Sequence, residues 1–295
     1  MAMPKLKFAM ALAATLGVGA ALSMPAQAAD LGGYKGDYTP YVDANGDVVY
    51  SIVTVSGGEI TNGAWESYTG AYFSFNRDFS RDGFFGRIYG SYGSYEDSTR
   101  GLYEDDPLQP GRLRVDGDYW TGDLMLGYMW VRGGLDIAVM LGGEYQKRKA
   151  TGIFTFDDDL VDPVGGRATD NEWGFKVGAS IETNGNDNRP IYFALEGTYS
   201  TAFESYYALG RLGYDFGRFT FGPEAWALGD DSGDAQRVGA FLKLDIPFGT
   251  TYSTLIASGG YQFANESFAG EFGAEGGYAT VELRTAFGEN RAPLK

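Results

Sequence analysis

The 295-residue chain contains no histidine and no cysteine. Without them the common nucleophile–base pairs and zinc centres cannot be built, and no disulfide framework exists. Basic residues are also few. The 23 Lys and Arg stand against 39 Asp and Glu, a formal charge of −16. Nucleic-acid phosphates demand clustered cations, so that partner class is excluded. Past the N-terminal segment, no stretch approaches the roughly 18 consecutive apolar residues of a spanning helix. If this chain crosses a membrane, it crosses with strands. Paired carboxylates remain as catalytic material, but their spacing singles out no pair. The expectation is a protein that is not an enzyme and uses no cofactor or metal ion.

The N-terminal segment has a targeting pattern. Lys5 and Lys7 precede an apolar stretch over 8–24, and Ala26-Gln27-Ala28 is a small-x-small cleavage site. Residues 1–28 are therefore expected to be a cleaved signal peptide. A periplasmic segment over 29–46, a barrel over 47–287 and a tail over 288–295 are expected to follow. Glycine is abundant at 45 residues, with 21 Tyr and 20 Phe. That mixture suits strands and tight turns and is poor helix material.

Most of the chain alternates with a period of two. Leu135, Ile137, Val139, Leu141 and Tyr145 share one face of a run whose other face carries Asp136, Met140, Glu144 and Arg148. Val238, Leu242, Leu244 and Ile246 likewise oppose Arg237, Phe241, Lys243 and Asp245. Such runs predict an all-β, antiparallel up-and-down transmembrane barrel of about twelve strands. Ten is the alternative, because Val48, Val49, Tyr50, Ile52 and Val53 alternate poorly after the Asn45-Gly46 turn signal. Three features favour lipid outside. From a periplasmic N-terminus, the connections alternate between short turns and long polar loops near 95–116, 149–171 and 264–275. Aromatics crowd strand ends: Trp120, Trp130, Tyr145, Trp173, Phe216, Phe219, Phe248 and Phe263. The last strand ends on Phe287, like the C-terminal signal read by barrel-assembly machinery, an expected partner along with outer-membrane lipid. Pro223 lies within a strand and predicts a bulge, since proline cannot donate to a ladder.

The inward face carries both signs. Acids include Glu66, Glu144, Glu182, Glu196, Glu224 and Glu282; bases include Arg87, Lys176, Arg211, Arg237, Lys243 and Arg284. A single sign would suggest an ion-selective pore; this balance predicts cross-strand bracing. Tyr72, Tyr89, Tyr192, Tyr207, Trp226 and Phe241 also point inward, either filling the lumen or stacking on sugar rings. Inward Met140 and Phe241 are expected to be more tolerant of polar replacement than the lipid-facing Val139 and Leu242. The acidic groups Asp157-Asp158-Asp159 with Asp162, and Asp230-Asp231 with Asp234, lack the spacing of a helix–loop–helix calcium site and are expected in solvated loops.

Residues 199–241 read YSTAFESYYALGRLGYDFGRFTFGPEAWALGDDSGDAQRVGAF. This stretch resembles the cellulose biosynthesis protein BcsS family in its Tyr-Ser-Thr-Ala, Arg-x-Gly-Tyr, Gly-Pro-Glu, Ala-Leu-Gly and Arg-x-Gly-Ala-Phe motifs. The resemblance is strongest over 172–245. It implies an outer-membrane component of a cellulose synthesis and secretion system, partnered by cellulose and other secretion components. None of these motifs is a catalytic signature. They put Arg211, Glu224 and Arg237 on inward faces of adjacent strands, expected to form one ion-pair network. Three roles stay open: aiding export or assembly of the glucan, a general small-solute porin, and a structural outer-membrane barrel.

Overall fold

The computed structural model describes residues 49–103, 106–156, 164–183, 190–231, 233–248, 251–264 and 274–288. The expected signal peptide, Asn45-Gly46, the 157–162 acids and most of the C-terminal tail lie outside them. The chain forms twelve antiparallel strands: β1 (Tyr50–Asn62), β2 (Ala64–Ser74), β3 (Gly83–Tyr103), β4 (Asp106–Arg132), β5 (Leu135–Phe156), β6 (Val164–Thr183), β7 (Ile191–Ser200), β8 (Tyr206–Asp215), β9 (Phe219–Asp230), β10 (Gly233–Phe248), β11 (Thr251–Ala264) and β12 (Ala274–Gly288). Each pairs with its neighbours in sequence, and β1 closes the barrel on β12. The poorly alternating first run is thus a full strand, paired on both sides. Closure satisfies its backbone whatever its side chains prefer, and the ten-strand alternative falls away.

Exterior and interior follow the alternation. Val139 and Leu242 are 44% and 46% exposed, whereas Glu144, Arg237 and Phe241 are all nearly inaccessible. An outward apolar face over a charged interior is the arrangement of a membrane barrel, the reverse of a soluble one. Two belts of rings frame the apolar band. One runs along consecutive strands as Trp65–Tyr92 (5.6 Å), Trp120–Tyr145 (5.0 Å) and Tyr145–Trp173 (4.7 Å). The other, nearer the chain termini, includes Phe84–Tyr128 and Tyr128–Trp130, both at 4.9 Å. Trp120 and Trp130 bracket β4 ten residues apart, about 34 Å of strand. At the usual tilt that is a band about 25 Å tall.

The mid-strand glycines seat aromatic rings. Gly57, Gly86, Gly93, Gly117 and Gly127 sit directly opposite Tyr68, Phe73, Tyr119, Tyr95 and Phe85. In each pair the ring occupies the space a glycine Cβ would need.

Two expectations need correction. The supposed long loops near 95–116 and 149–171 are mostly strand. β3 to β6 run on past the far belt as a four-stranded fin, while β7 and β8 stop at ten residues each. Polarity read as loop is here the mark of sheet with no lipid or core against it. Pro223 also makes no bulge. β9 keeps its register with β10 through Ala240↔Pro223, and with β8 on either side of Leu212 and Gly213, which drop out of the ladder. The missing N–H costs local pairing without shifting the strand.

Candidate functional site in the barrel lumen

Inward side chains surround a cavity of about 470 Å3. At mid-height Arg284 Nε donates to Glu282 at 2.6 Å, and Arg284 Nη1 lies 3.4 Å from Glu182. Tyrosine hydroxyls donate to the carboxylates around it: Tyr68 to Glu282 (2.9 Å), Tyr192 to Glu182 (2.7 Å) and Tyr207 to Glu196 (2.7 Å). β12 and β6 lie six strands apart whichever way the barrel is followed. The Arg284–Glu182 contact therefore spans the lumen from wall to wall.

The expected Arg211, Glu224 and Arg237 group divides in two. Arg211 Nε pairs with Glu224 at 2.9 Å, and Ser258 and Tyr278 hydroxyls each donate to the same carboxylate at 2.9 Å. Arg237 instead forks onto Glu59 at 2.8 and 2.9 Å, with Nε donating to Gln262 at 2.7 Å. Register explains the split. Glu224 faces Gly239 across the β9–β10 ladder, and Arg237 faces Trp226, one inward row farther along. The guanidinium groups of Arg211 and Arg237 stand 5.8 and 5.6 Å from the Trp226 ring, so an aromatic joins the two pairs. Glu59 escaped the sequence reading because Gly57-Gly58 obscure the alternation of β1.

A third cluster braces the opposite wall. Lys176 Nζ donates to Asp123 (2.9 Å) and Glu144 (2.5 Å), and Arg87 approaches Asp123 at 3.2 Å. Such pairs hold together because each desolvated charge has a partner; removing one strands the other.

Of the inward aromatics, Tyr72, Tyr89, Tyr207 and Trp226 line the cavity. They form no single flat track. Tyr89 stacks on Tyr68 at 5.8 Å beneath Arg87, and Tyr207 meets Trp226 edge-on at 5.5 Å. Tyr192 on β7 and Phe241 on β10 pack with Ile256 on β11 as a small apolar cluster, with the two ring centroids 5.7 Å apart.

At the far mouth a turn absent from the sequence reading folds inward. A short 3-10 segment (Ala202–Glu204) has Phe203 and Glu204 at φ 50° and 49°, the left-handed region that non-glycine residues rarely occupy. Contacts hold it there. Ala202 packs on Gly174, where a Cβ would collide with it. Phe203 N–H donates to Glu172 at 2.8 Å, and Arg148 covers the Phe203 ring at 3.9 Å. Arg148 in turn pairs with Asp230 (2.9 Å) and Asp231 (3.0 Å), and Asp234 accepts from Tyr206. Two of these acids, expected in a solvated loop, serve this latch.

The family model for cellulose biosynthesis protein BcsS matches residues 53–287. The chain belongs to that family. Its Tyr199-Ser200-Thr201-Ala202 motif enters the inward turn, and Arg211, Glu224 and Arg237 carry the lumen pairs described above. No curated protein matches the chain. Similar solved structures include the transport unit of the autotransporter AIDA-I from Escherichia coli, at 10% identity and TM-score 0.45, covering 84% of this chain and 93% of that one. The CymD monoaromatic hydrocarbon channel matches at 8% identity and TM-score 0.45, over 83% and 90%. The beta domain of the Bordetella autotransporter BrkA matches at 15% identity and TM-score 0.37, over 81% and 99%.

Proposed function

We propose that the protein is an outer-membrane barrel of a cellulose synthesis and secretion system, and that it supports assembly of the export apparatus without conducting the glucan. The observation that carries this reading is the Arg284–Glu182 contact between opposite walls. A glucan chain threading the lumen would have to break it and part the Tyr192–Phe241–Ile256 cluster, leaving charges unpaired at every step. A general solute porin meets the same obstruction. The lumen aromatics are read as packing: the Tyr192 and Tyr207 hydroxyls donate to Glu182 and Glu196, and each of the six rings meets another ring. The working surface is then the fin of β3 to β6 beyond the far belt. Lipid and the barrel-assembly machinery are its membrane partners, and cellulose or other secretion components its partners on the fin. Residues 1–28 direct export, and no catalytic step is assigned.

A deletion strain complemented with variants tests this. Loss of the protein is expected to lower or alter extracellular cellulose while inner-membrane glucan synthesis persists. Shortening the hairpins at 97–113 and 152–170 should behave like the deletion, and Tyr207→Ala with Trp226→Ala like the wild type. The opposite pattern would assign the lumen to glucan passage. Unchanged cellulose in the deletion strain, with no duplicate gene, would overturn both roles and leave the porin.

A further inference from the structure

We propose that the outer face of β5 and β6, just beyond the far aromatic belt, binds the phosphate group of a lipid headgroup. The proposal rests on the membrane reading above. Along β5 the outward residues run from Val139 and Leu141 through Tyr145 to Lys147 and Lys149. β6 pairs with it without interruption: Tyr145↔Trp173, Lys147↔Asn171, Lys149↔Thr169 and Thr151↔Arg167. Because strand faces alternate with period two, Lys147, Lys149 and Arg167 share the face of Tyr145 and Trp173. The order along this face is aliphatic, then ring, then base.

The three bases have no carboxylate partner among the described residues. Two other bases of the fin are paired: Arg114 with Glu96 (3.0 Å) and Asp116 (3.2 Å), and Arg148, on the inner face, with Asp230 and Asp231. Two acids of β4 share this face: Asp118, opposite Lys149 in register, which accepts a hydrogen bond from Tyr92 at 3.2 Å, and Asp116, opposite Thr151, which is held by Arg114 at 3.2 Å. With Asp116 taken up by Arg114, the three cations face one acid that no base holds, a local positive excess on a chain of net charge −16. Their mutual repulsion is relieved when an anion sits among them. Two ammonium groups and a guanidinium fork supply the charge-assisted donors that phosphate oxygens accept. The height fits a headgroup, because aromatic belts lie at the membrane interface. Val139, Leu141, Phe175 and Val177, all exposed just below, offer apolar surface for the acyl chains of the same lipid.

The test uses the full chain, refolded into bilayers of the phosphate-free lipid digalactosyldiacylglycerol containing either bis-phosphorylated lipid A or its dephosphorylated form. Lipid retained after detergent extraction is counted by native mass spectrometry. Wild-type protein should retain the phosphorylated form selectively. Lys147→Gln, Lys149→Gln and Arg167→Gln together should lower retention at least about tenfold. Arg114→Gln, which removes a paired charge from the same fin, should not. The single replacements should each give part of the loss, and heat-modifiable migration reports a folded barrel throughout. Equal retention of the dephosphorylated lipid, or wild-type retention by the triple variant, would overturn the proposal. So would displacement by millimolar inorganic phosphate at constant ionic strength, which would make this a free-anion site. Failure of the wild-type chain to enter bilayers would remove the membrane reading and this site with it; loss of selectivity in an inserted barrel removes the site alone.

Discussion

Arg284 on β12 meets Glu182 on β6 at 3.4 Å, a contact between strands on opposite sides of the barrel. The same guanidinium holds Glu282, so one cation restrains two carboxylates. Both partners keep roughly a third of their side chains open to the cavity, which screens the pair and moderates its worth. Arg284→Met should lower stability in detergent by about 1–3 kcal/mol. It should also raise single-channel conductance above a low wild-type level. Unchanged conductance together with unchanged stability would mean that the contact neither braces nor blocks the lumen.

The two faces of the wall should respond differently. Val139→Arg puts a charge into the lipid-facing band and is expected to cost about 2–4 kcal/mol. Met140→Gln, on the cavity side beside Arg87, should be mild. Phe241 departs from the sequence expectation of tolerance. It is 1% exposed between Tyr192 and Ile256, and Phe241→Ala should cost about 3–5 kcal/mol. Denaturant unfolding of the three variants in one detergent measures the order directly, and equal costs at 139 and 140 would refute the in–out assignment.

Glycine–aromatic seating makes a separate prediction. Gly93→Val would drive its side chain into the Tyr119 ring, which lies over it. The ring must leave the Tyr95, Val115 and Ala64 cluster to make room. A destabilisation of about 1–3 kcal/mol is expected, partly relieved by adding Tyr119→Ala. A single variant as stable as wild type would show that the ring is not seated there.

Asp82, in the turn before β3, accepts two hydrogen bonds from Arg132 at 2.5 and 2.6 Å and one from Val131 N–H at 2.9 Å. These donors hold its carboxyl below the usual carboxylate range, the Arg132 bonds most strongly. A lowered folded value means that the stabilisation is present above the unfolded value of about 3.9 and fades as pH falls through the folded value. Wild type and Asp82→Asn should therefore differ in thermal stability at neutral pH and converge in strong acid. A constant difference across that range would exclude the linkage.

Lipid-facing and lumen-facing residues were legible in the sequence because a strand's side-chain period is two and lipid tolerates no charge. That rule alone predicted the exposure of Val139 and Leu242 and the burial of Glu144 and Arg237. It failed where alternation had no gradient to record. The fin has no lipid on one side and no core on the other, so its strands looked like polar loops. The ring that each mid-strand glycine seats was hidden as well, because that ring comes from the neighbouring strand.

The sequence by itself determined the barrel, its inside and outside, and the kinds of charge that line it, because these follow from local periodicity and composition. Only the tertiary structure decided which charges meet. Arg237 pairs with Glu59 rather than Glu224, Arg284 reaches Glu182, and Phe203 is drawn into a strained inward turn. Such partners lie up to 178 residues apart in the chain. They depend on register and closure, which set the height of each side chain in the barrel and which no short stretch of sequence encodes.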